Sequence, residues 1–242
     1  MEHYFKGKTV LVTGAGWGIG AATALLYAAY GAKVIVSDTS RKGGKDILAK
    51  IKNQKGNATY IKTDVSNAAA CEELVKRTIR TYGSIDIACN NSAVFSEPLH
   101  PADGDMESSD NQVGLNLTGL NNCMQYEIEA MQKQGAGVIV NTLSIMGAIG
   151  LASSSQYIEA KYGIVKLLQN VSGEYPAIHI HAIAPAFTDT AILKDIIQKE
   201  TEGKIKLFPL DRHGTIQQVA DLVLWLSSDE TRLLSTVCND TN

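Results

Sequence analysis

Residues 9–31 read TVLVTGAGWGIGAATALLYAAYG. The first five, Thr9–Thr13, suit a buried strand. Glycine then stands at every second position from Gly14 to Gly20, and an alanine-rich run with apolar residues at helical spacing follows. Such a turn lets backbone lie close against a pyrophosphate, and the helix behind it presents unpaired N–H groups and the positive end of its dipole. Strand before and helix after supply the context that a glycine string alone lacks. The stretch therefore predicts an α/β fold whose first turn binds a dinucleotide through Gly14, Gly16, Trp17, Gly18, Ile19 and Gly20.

The alternation continues downstream. Strand-like runs at Thr9–Thr13, Lys33–Ser37, Thr59–Lys62, Ile85–Cys89, Val138–Asn141 and Ile178–Ile183 are separated by helical patterns such as Gly20–Tyr30, Ala69–Tyr82 and Ala152–Val171. Several runs are apolar throughout, as in a parallel sheet covered on both faces. Strands alternating with helices imply right-handed crossovers and a Rossmann-like, doubly wound parallel sheet. No repeat or linker divides the chain, so residues 1–242 are expected to form a single domain. Gly43–Gly44 and Asp103–Asp110 read as surface loops within it.

Composition excludes more than it assigns. Against 25 acidic residues stand 22 basic ones, a net charge of -3 without the basic surplus of a nucleic-acid binder. No apolar run approaches the roughly 20 residues of a membrane span. The start, MEHYFKGKTVLV, lacks the basic region and apolar core of a secretory leader, so a cytoplasmic protein is expected. Cys71, Cys89, Cys123 and Cys238 are scattered, as free thiols in a reducing compartment are. The five histidines do not cluster; His179 and His181 share a strand face with no further ligand nearby in sequence, and no metal site is expected.

The second strand ends in Asp38. A carboxylate there accepts hydrogen bonds from adenosine ribose hydroxyls and repels a 2′-phosphate, which favours NAD(H) over NADP(H). Trp17, not a basic residue, occupies the glycine turn; Arg41 and Lys42 are the nearby cations able to reach a phosphate.

Residues 155–166, SQYIEAKYGIVK, hold two Tyr-x-x-x-Lys pairs. Wound at about 100° per residue, Ile158, Ala160, Ile164, Val165, Leu167, Leu168 and Val171 spread over an arc centred near Tyr157, with Lys161 inside it. Tyr162 and Lys166 fall opposite, beside Glu159, Gln169 and Asn170. Tyr162–Lys166 is thus a polar-face pair. A lysine in the middle of an apolar face costs several kcal/mol unless compensated or snorkelled outward, and Ser144 lies thirteen residues before Tyr157.

Together these residues resemble the short-chain dehydrogenase/reductase family over about residues 6–230. The TGxxxGxG spacing is that family's. Asp64-Val65 matches its adenine-contacting pair, Asn90-Asn91 the start of its NNAG motif, and Asn116 the Asn of the helix behind its active site. Ser144, Tyr157 and Lys161 match its catalytic serine and YxxxK, while Pro185 and Thr190, with Thr188 between them, match the segment that touches the nicotinamide. Asp64 also fits a turn residue ahead of the next helix, Ser144 a cap, and Asn116 a helix-interior amide. NNSA replaces NNAG, Pro185-Ala186 replaces PG, and the C-terminus lacks the usual TG…DGG ending.

The resemblance implies hydride transfer between a nicotinamide and a ketone or secondary alcohol. Tyr157 would act as general acid/base, its pKa lowered from near 10 by Lys161. Lys161 would also hold the nicotinamide ribose, Ser144 would stabilise the carbonyl oxygen, and Asn116 would order a water leading to solvent. Residues 191–208 are expected to form a lid. Val94, Phe95, Met146, Leu151 and Phe187 are candidates for the wall of an apolar pocket. The family also implies a homodimer or homotetramer. A dinucleotide-binding regulator without turnover, or a dehydratase or epimerase on the same scaffold, are the competing readings.

Overall fold

The computed structural model describes residues 4–93, 114–144, 155–171, 173–185, 188, 190 and 214–231, with backbone alone at 114–115 and 155–162. Among the described residues, six parallel strands form one sheet in the order β3-β2-β1-β4-β5-β6. They are β1 (Thr9–Thr13), β2 (Lys33–Asp38), β3 (Asn57–Lys62), β4 (Ile87–Asn90), β5 (Gly137–Thr142) and β6 (Ile178–Ile183). The order reverses between β1 and β4, the switch point at which such sheets bind ligands beyond their carboxyl ends.

Helices cover both faces. Packed on one are α1 (Gly18–Ala29), α2 (Arg41–Asn53) and the late helix α6 (Ile216–Leu226), around Val10, Val12, Tyr27, Val34, Ile51 and Leu224. On the other are α3 (Ala68–Tyr82), α4 (Gly119–Gln134) and α5 (Ser155–Val171), around Leu11, Ile35, Leu74, Met124, Ile139 and Ile164. Both faces of β1 are therefore buried, which explains its unbroken apolar run. Local signals fix the helix ends. Asn67 caps α3 by accepting from Ala70 N, Gly83 ends it in the left-handed conformation, and Thr215 with Gln218 forms a capping box on α6.

One expected loop is a helix. Gly43–Gly44 lie in the first turn of α2, whose N-cap Ser40 accepts from Gly43 N at 3.1 Å. The glycines answer to packing: a Cβ on Gly44 would lie 2.1 Å from the Tyr60 ring, and one on Gly43 would lie 2.9 Å from the Gly16 carbonyl oxygen. Asp103–Asp110 and residues 191–208 fall outside the described residues. Among the described residues, no helix is long and apolar enough to cross a membrane.

Candidate active site

The glycine turn is held from two sides. Asp38, at the end of β2, accepts from Gly16 N at 2.8 Å and from Ser40 N at 2.7 Å, and Tyr60 donates to its carbonyl at 3.0 Å. On the β4 side, Asn91 N donates to Thr13 Oγ1 at 3.2 Å and Asn91 Nδ2 to the Gly14 carbonyl at 3.4 Å. Gly14 has φ 61, and a Cβ there would lie 2.9 Å from the Ser92 backbone, so only glycine fits between the turn and the end of β4. Helix α1 starts at this turn. Its N-cap, Trp17, makes no side-chain capping bond, and its first turn holds no acidic residue. The dipole end is thus open to an anion, and the cradle is tight enough for backbone to meet one. These residues fit a dinucleotide pyrophosphate.

The adenine-side candidates differ from each other. Val65 is buried, its carbonyl accepting from Asn122 Nδ2 at 3.0 Å. Asp64 is exposed, and its Oδ1 accepts from Ser66 N at 3.0 Å and Ser66 Oγ at 2.7 Å. Asp64 thus closes a turn, while Asn67 is the residue that caps α3.

The other half of the site gathers at the same end of the sheet. Ser144 is half-buried, two residues beyond β5, where Leu143 N donates to the Ile183 carbonyl at 2.8 Å. That bond sets Ser144 beside the segment leaving β6, which leads through half-buried Pro185 to Thr188. Thr188 is buried, bridges Gly214, and accepts from Thr190 N at 2.6 Å. Asn116 is buried in a π-helical turn, Gly114–Thr118, directly ahead of α4. Such widened turns recur at functional sites. Its neighbour Leu117 meets α5, where a Cβ on Gly163 would lie 3.1 Å from Leu117 Cδ2.

Helix α5 carries Tyr157 and Lys161 one turn apart. Its described side chains follow the expected phase: Ile164 and Leu168 are buried, Val165, Leu167 and Val171 half-buried, and Lys166, Gln169 and Asn170 exposed. Position 157 lies two turns before Ile164 on the same helical face, and position 161 lies two turns before Leu168. Val94, Phe95, Met146, Leu151 and Phe187 lie outside the described residues.

Sequence reasoning overlooked Glu127. It lies on α4, fully buried, and accepts from Asn90 Nδ2 at 2.8 Å. Burial pushes its carboxyl up to about 7, against the opposing effect of that hydrogen bond. The signal was available in the sequence: Glu127 shares a helical face with Leu120, Cys123, Met124 and Met131, as Lys161 shares one with Ile164 and Leu168.

A cavity of about 230 Å³ opens at the opposite end of the sheet, lined by Phe5, Ile87, His179, His181 and Leu226 among others. It lies at the N-terminal ends of the strands, away from the glycine turn. The two histidine rings stack there with centroids 6.4 Å apart. Among the described residues, no group of three His, Cys, Asp or Glu side chains is placed to hold a metal ion.

Comparison with known proteins agrees with this arrangement. The family described as short chain dehydrogenase matches residues 8–201. Cyclohexanol dehydrogenase of Acinetobacter sp. (strain SE19) is 31% identical over 237 residues, covering 97% of this chain and 93% of its own. The crystal structure of levodione reductase superposes with a TM-score of 0.90 at 31% identity, covering 96% of this chain and 94% of that one. NAD+-bound xylitol dehydrogenase gives a TM-score of 0.90 at 25% identity, covering 96% of each chain.

Proposed function

The chain belongs to the short-chain dehydrogenase family, and from that premise we propose that it interconverts a small, largely apolar cyclic ketone and its secondary alcohol with NAD(H). The observation that carries this reading is the phase of α5. Positions 157 and 161 fall on the face that buries Ile164 and Leu168, and this helix packs on the π-turn holding Asn116. A tyrosine and a lysine on that face have a chemical use that a solvent-facing pair lacks.

The dinucleotide supplies or takes up the hydride when bound. Gly14, Gly16, Trp17, Gly18, Ile19 and Gly20 hold its pyrophosphate, Asp38 the adenosine ribose, and Asp64 and Val65 the adenine. Asn91, Pro185, Thr188 and Thr190 flank the nicotinamide half, whose ribose Lys161 grips. The carboxylate at the end of β2 favours NAD(H), because a 2′-phosphate beside it would be repelled.

Tyr157 gives its hydroxyl proton to the ketone oxygen, or takes it back from the alcohol. The Lys161 cation one turn away favours the phenolate and brings the hydroxyl from its ordinary pKa near 10 towards the working range. Ser144 donates a hydrogen bond to the same oxygen as charge develops. Asn116 orders a water through which Lys161 exchanges protons with solvent. The working form is a cytoplasmic homodimer or homotetramer. The similarity to cyclohexanol dehydrogenase and levodione reductase supports a cyclic substrate.

A panel of cyclic and open-chain ketones, assayed with NADH and with NADPH by cofactor absorbance, tests the reading. Cyclic ketones with NADH should turn over fastest. Tyr157→Phe should lower kcat by about two to four orders of magnitude with NADH binding nearly unchanged, and Tyr162→Phe should be mild. Turnover with NADPH alone would overturn the cofactor assignment. A crippled Tyr162→Phe beside a mild Tyr157→Phe would overturn the catalytic one.

A further inference from the structure

Glu127 makes no ion pair among the described residues, although it is fully buried. Asn90 Nδ2 donates to Glu127 Oε2 at 2.8 Å and also to Asn141 Oδ1 at 3.1 Å. Asn141 Nδ2 in turn donates to the His181 carbonyl at 3.3 Å. A line of buried amides thus crosses β4, β5 and β6 and ends on α4.

Glu127 Oε1 and Asn90 Oδ1 are buried without a hydrogen-bond partner among the described residues. They are the remaining halves of two groups already bonded to each other. A proton on Glu127 converts one into a donor, and acid and amide can then pair edge to edge. An ionised carboxylate would instead sit buried on a single hydrogen bond, which is costly. Its charge acts on two buried thiols: Cys89 of β4, which burial pushes up to about 12, and Cys123 of α4, raised by its contact with Cys71 and by burial. Neither supplies a compensating cation.

We propose that Glu127 carries a proton and clasps Asn90 as a carboxylic acid, acting as a positioning residue for the candidate active site. Asn90 precedes Asn91, which is bonded to the glycine turn at Thr13 and Gly14. Asn141 lies three residues before Ser144, and α4 continues directly from the π-turn holding Asn116. The clasp therefore ties the cofactor turn, the Ser144 segment and the Asn116 segment to one buried point. Its catalytic consequence rests on the functional reading above.

The protonation and the positioning are tested separately. Difference infrared spectra of wild type against Glu127→Gln, recorded near pH 6, should show the carbonyl stretch of a protonated carboxylic acid in wild type; its absence overturns the proposal. In ketone reduction, Glu127→Gln donates and accepts along the same edge and should keep kcat within about threefold. Glu127→Leu should lower kcat about tenfold or more while moving the KM for NADH less than about threefold. An unchanged kcat in Glu127→Leu, or Glu127→Gln as damaging as Glu127→Leu, also overturns it. If Glu127→Leu fails to fold, the infrared spectrum and Glu127→Gln decide. A wild type that reduces no ketone with either cofactor would sink the functional reading, and the infrared arm would still judge the clasp.

Discussion

Replacing Glu127 with Gln should stabilise the protein in alkali and leave it nearly unchanged in acid. The carboxyl rises from 4.5 to about 7 on folding because it is buried. Between those values the native state holds a proton that the unfolded chain has lost, so stability falls as pH rises through the window. A tenfold change in a proton equilibrium is worth about 1.4 kcal/mol. Two to three such steps separate the two values, so wild type loses about 3 kcal/mol between pH 4.5 and pH 8 that Glu127→Gln does not lose. For a chain of this length, 1 kcal/mol moves Tm by about 2–4 °C, so the variant should melt roughly 6–12 °C above wild type at pH 8. Near pH 4.5 the two should melt within about 2 °C of each other. Calorimetric or circular-dichroism melts of both proteins across pH 4.5–8 measure the gap directly. A gap that does not change with pH would refute the reasoning, because only titration of Glu127 makes the difference pH-dependent.

Two other changes probe the scaffold. Gly44→Ala places a methyl carbon 2.1 Å from the Tyr60 ring, forcing the ring aside and breaking its bond to the Asp38 carbonyl; stability should fall by about 1–3 kcal/mol and NADH should bind less tightly. A variant that melts higher, as the helix propensity of alanine alone would give, counts against this packing. His181 behaves oppositely to Glu127. Burial, and then His179, hold its imidazole down to about 4 against the usual 6.5, so the native state refuses a proton that the unfolded chain accepts. Stability should be lost as pH falls from 6.5 towards 4, and His181→Phe, with the neighbouring cavity to receive the larger ring, should flatten that limb by about 3 kcal/mol. An acid limb as steep in the variant as in wild type would place its origin elsewhere.

Much of the architecture was legible in the sequence because a parallel sheet buried on both faces leaves continuous apolar runs, and β1 and β6 fall on the residues their runs predict. The glycine turn was legible for the same local reason, as was the polar side of α5. Helix α2 was hidden because Gly43 and Gly44 carry the signature of a loop, and what they answer to is the Tyr60 ring, sixteen residues beyond Gly44, and the glycine turn itself. Glu127 was legible as a residue on an apolar helix face, but its contact was not. An acidic residue on an amphipathic helix ordinarily marks the wet face, and its partner Asn90 comes from a strand 37 residues away. No local pattern announces a contact of that kind. The two-residue offset at the start of β4 reflects Ile85 and Asp86, which continue the strand pattern but serve the junctions below it: Ile85 bonds to Gln134, and Asp86 accepts from Thr9 N at 2.8 Å.

The carboxylate of Asp38 is bonded inward as well as placed at the carboxyl end of the sheet. Its two oxygens take the N–H groups of Gly16 and Ser40, so the shape of the glycine turn and the group proposed to meet the ribose reside in one side chain. A substitution at 38 that altered the choice of dinucleotide would release both backbone donors in the same stroke. If Asp38 sets the choice of dinucleotide as proposed, a change of preference at that position calls for a turn that stands without its carboxylate. Turn and carboxylate form one unit of structure.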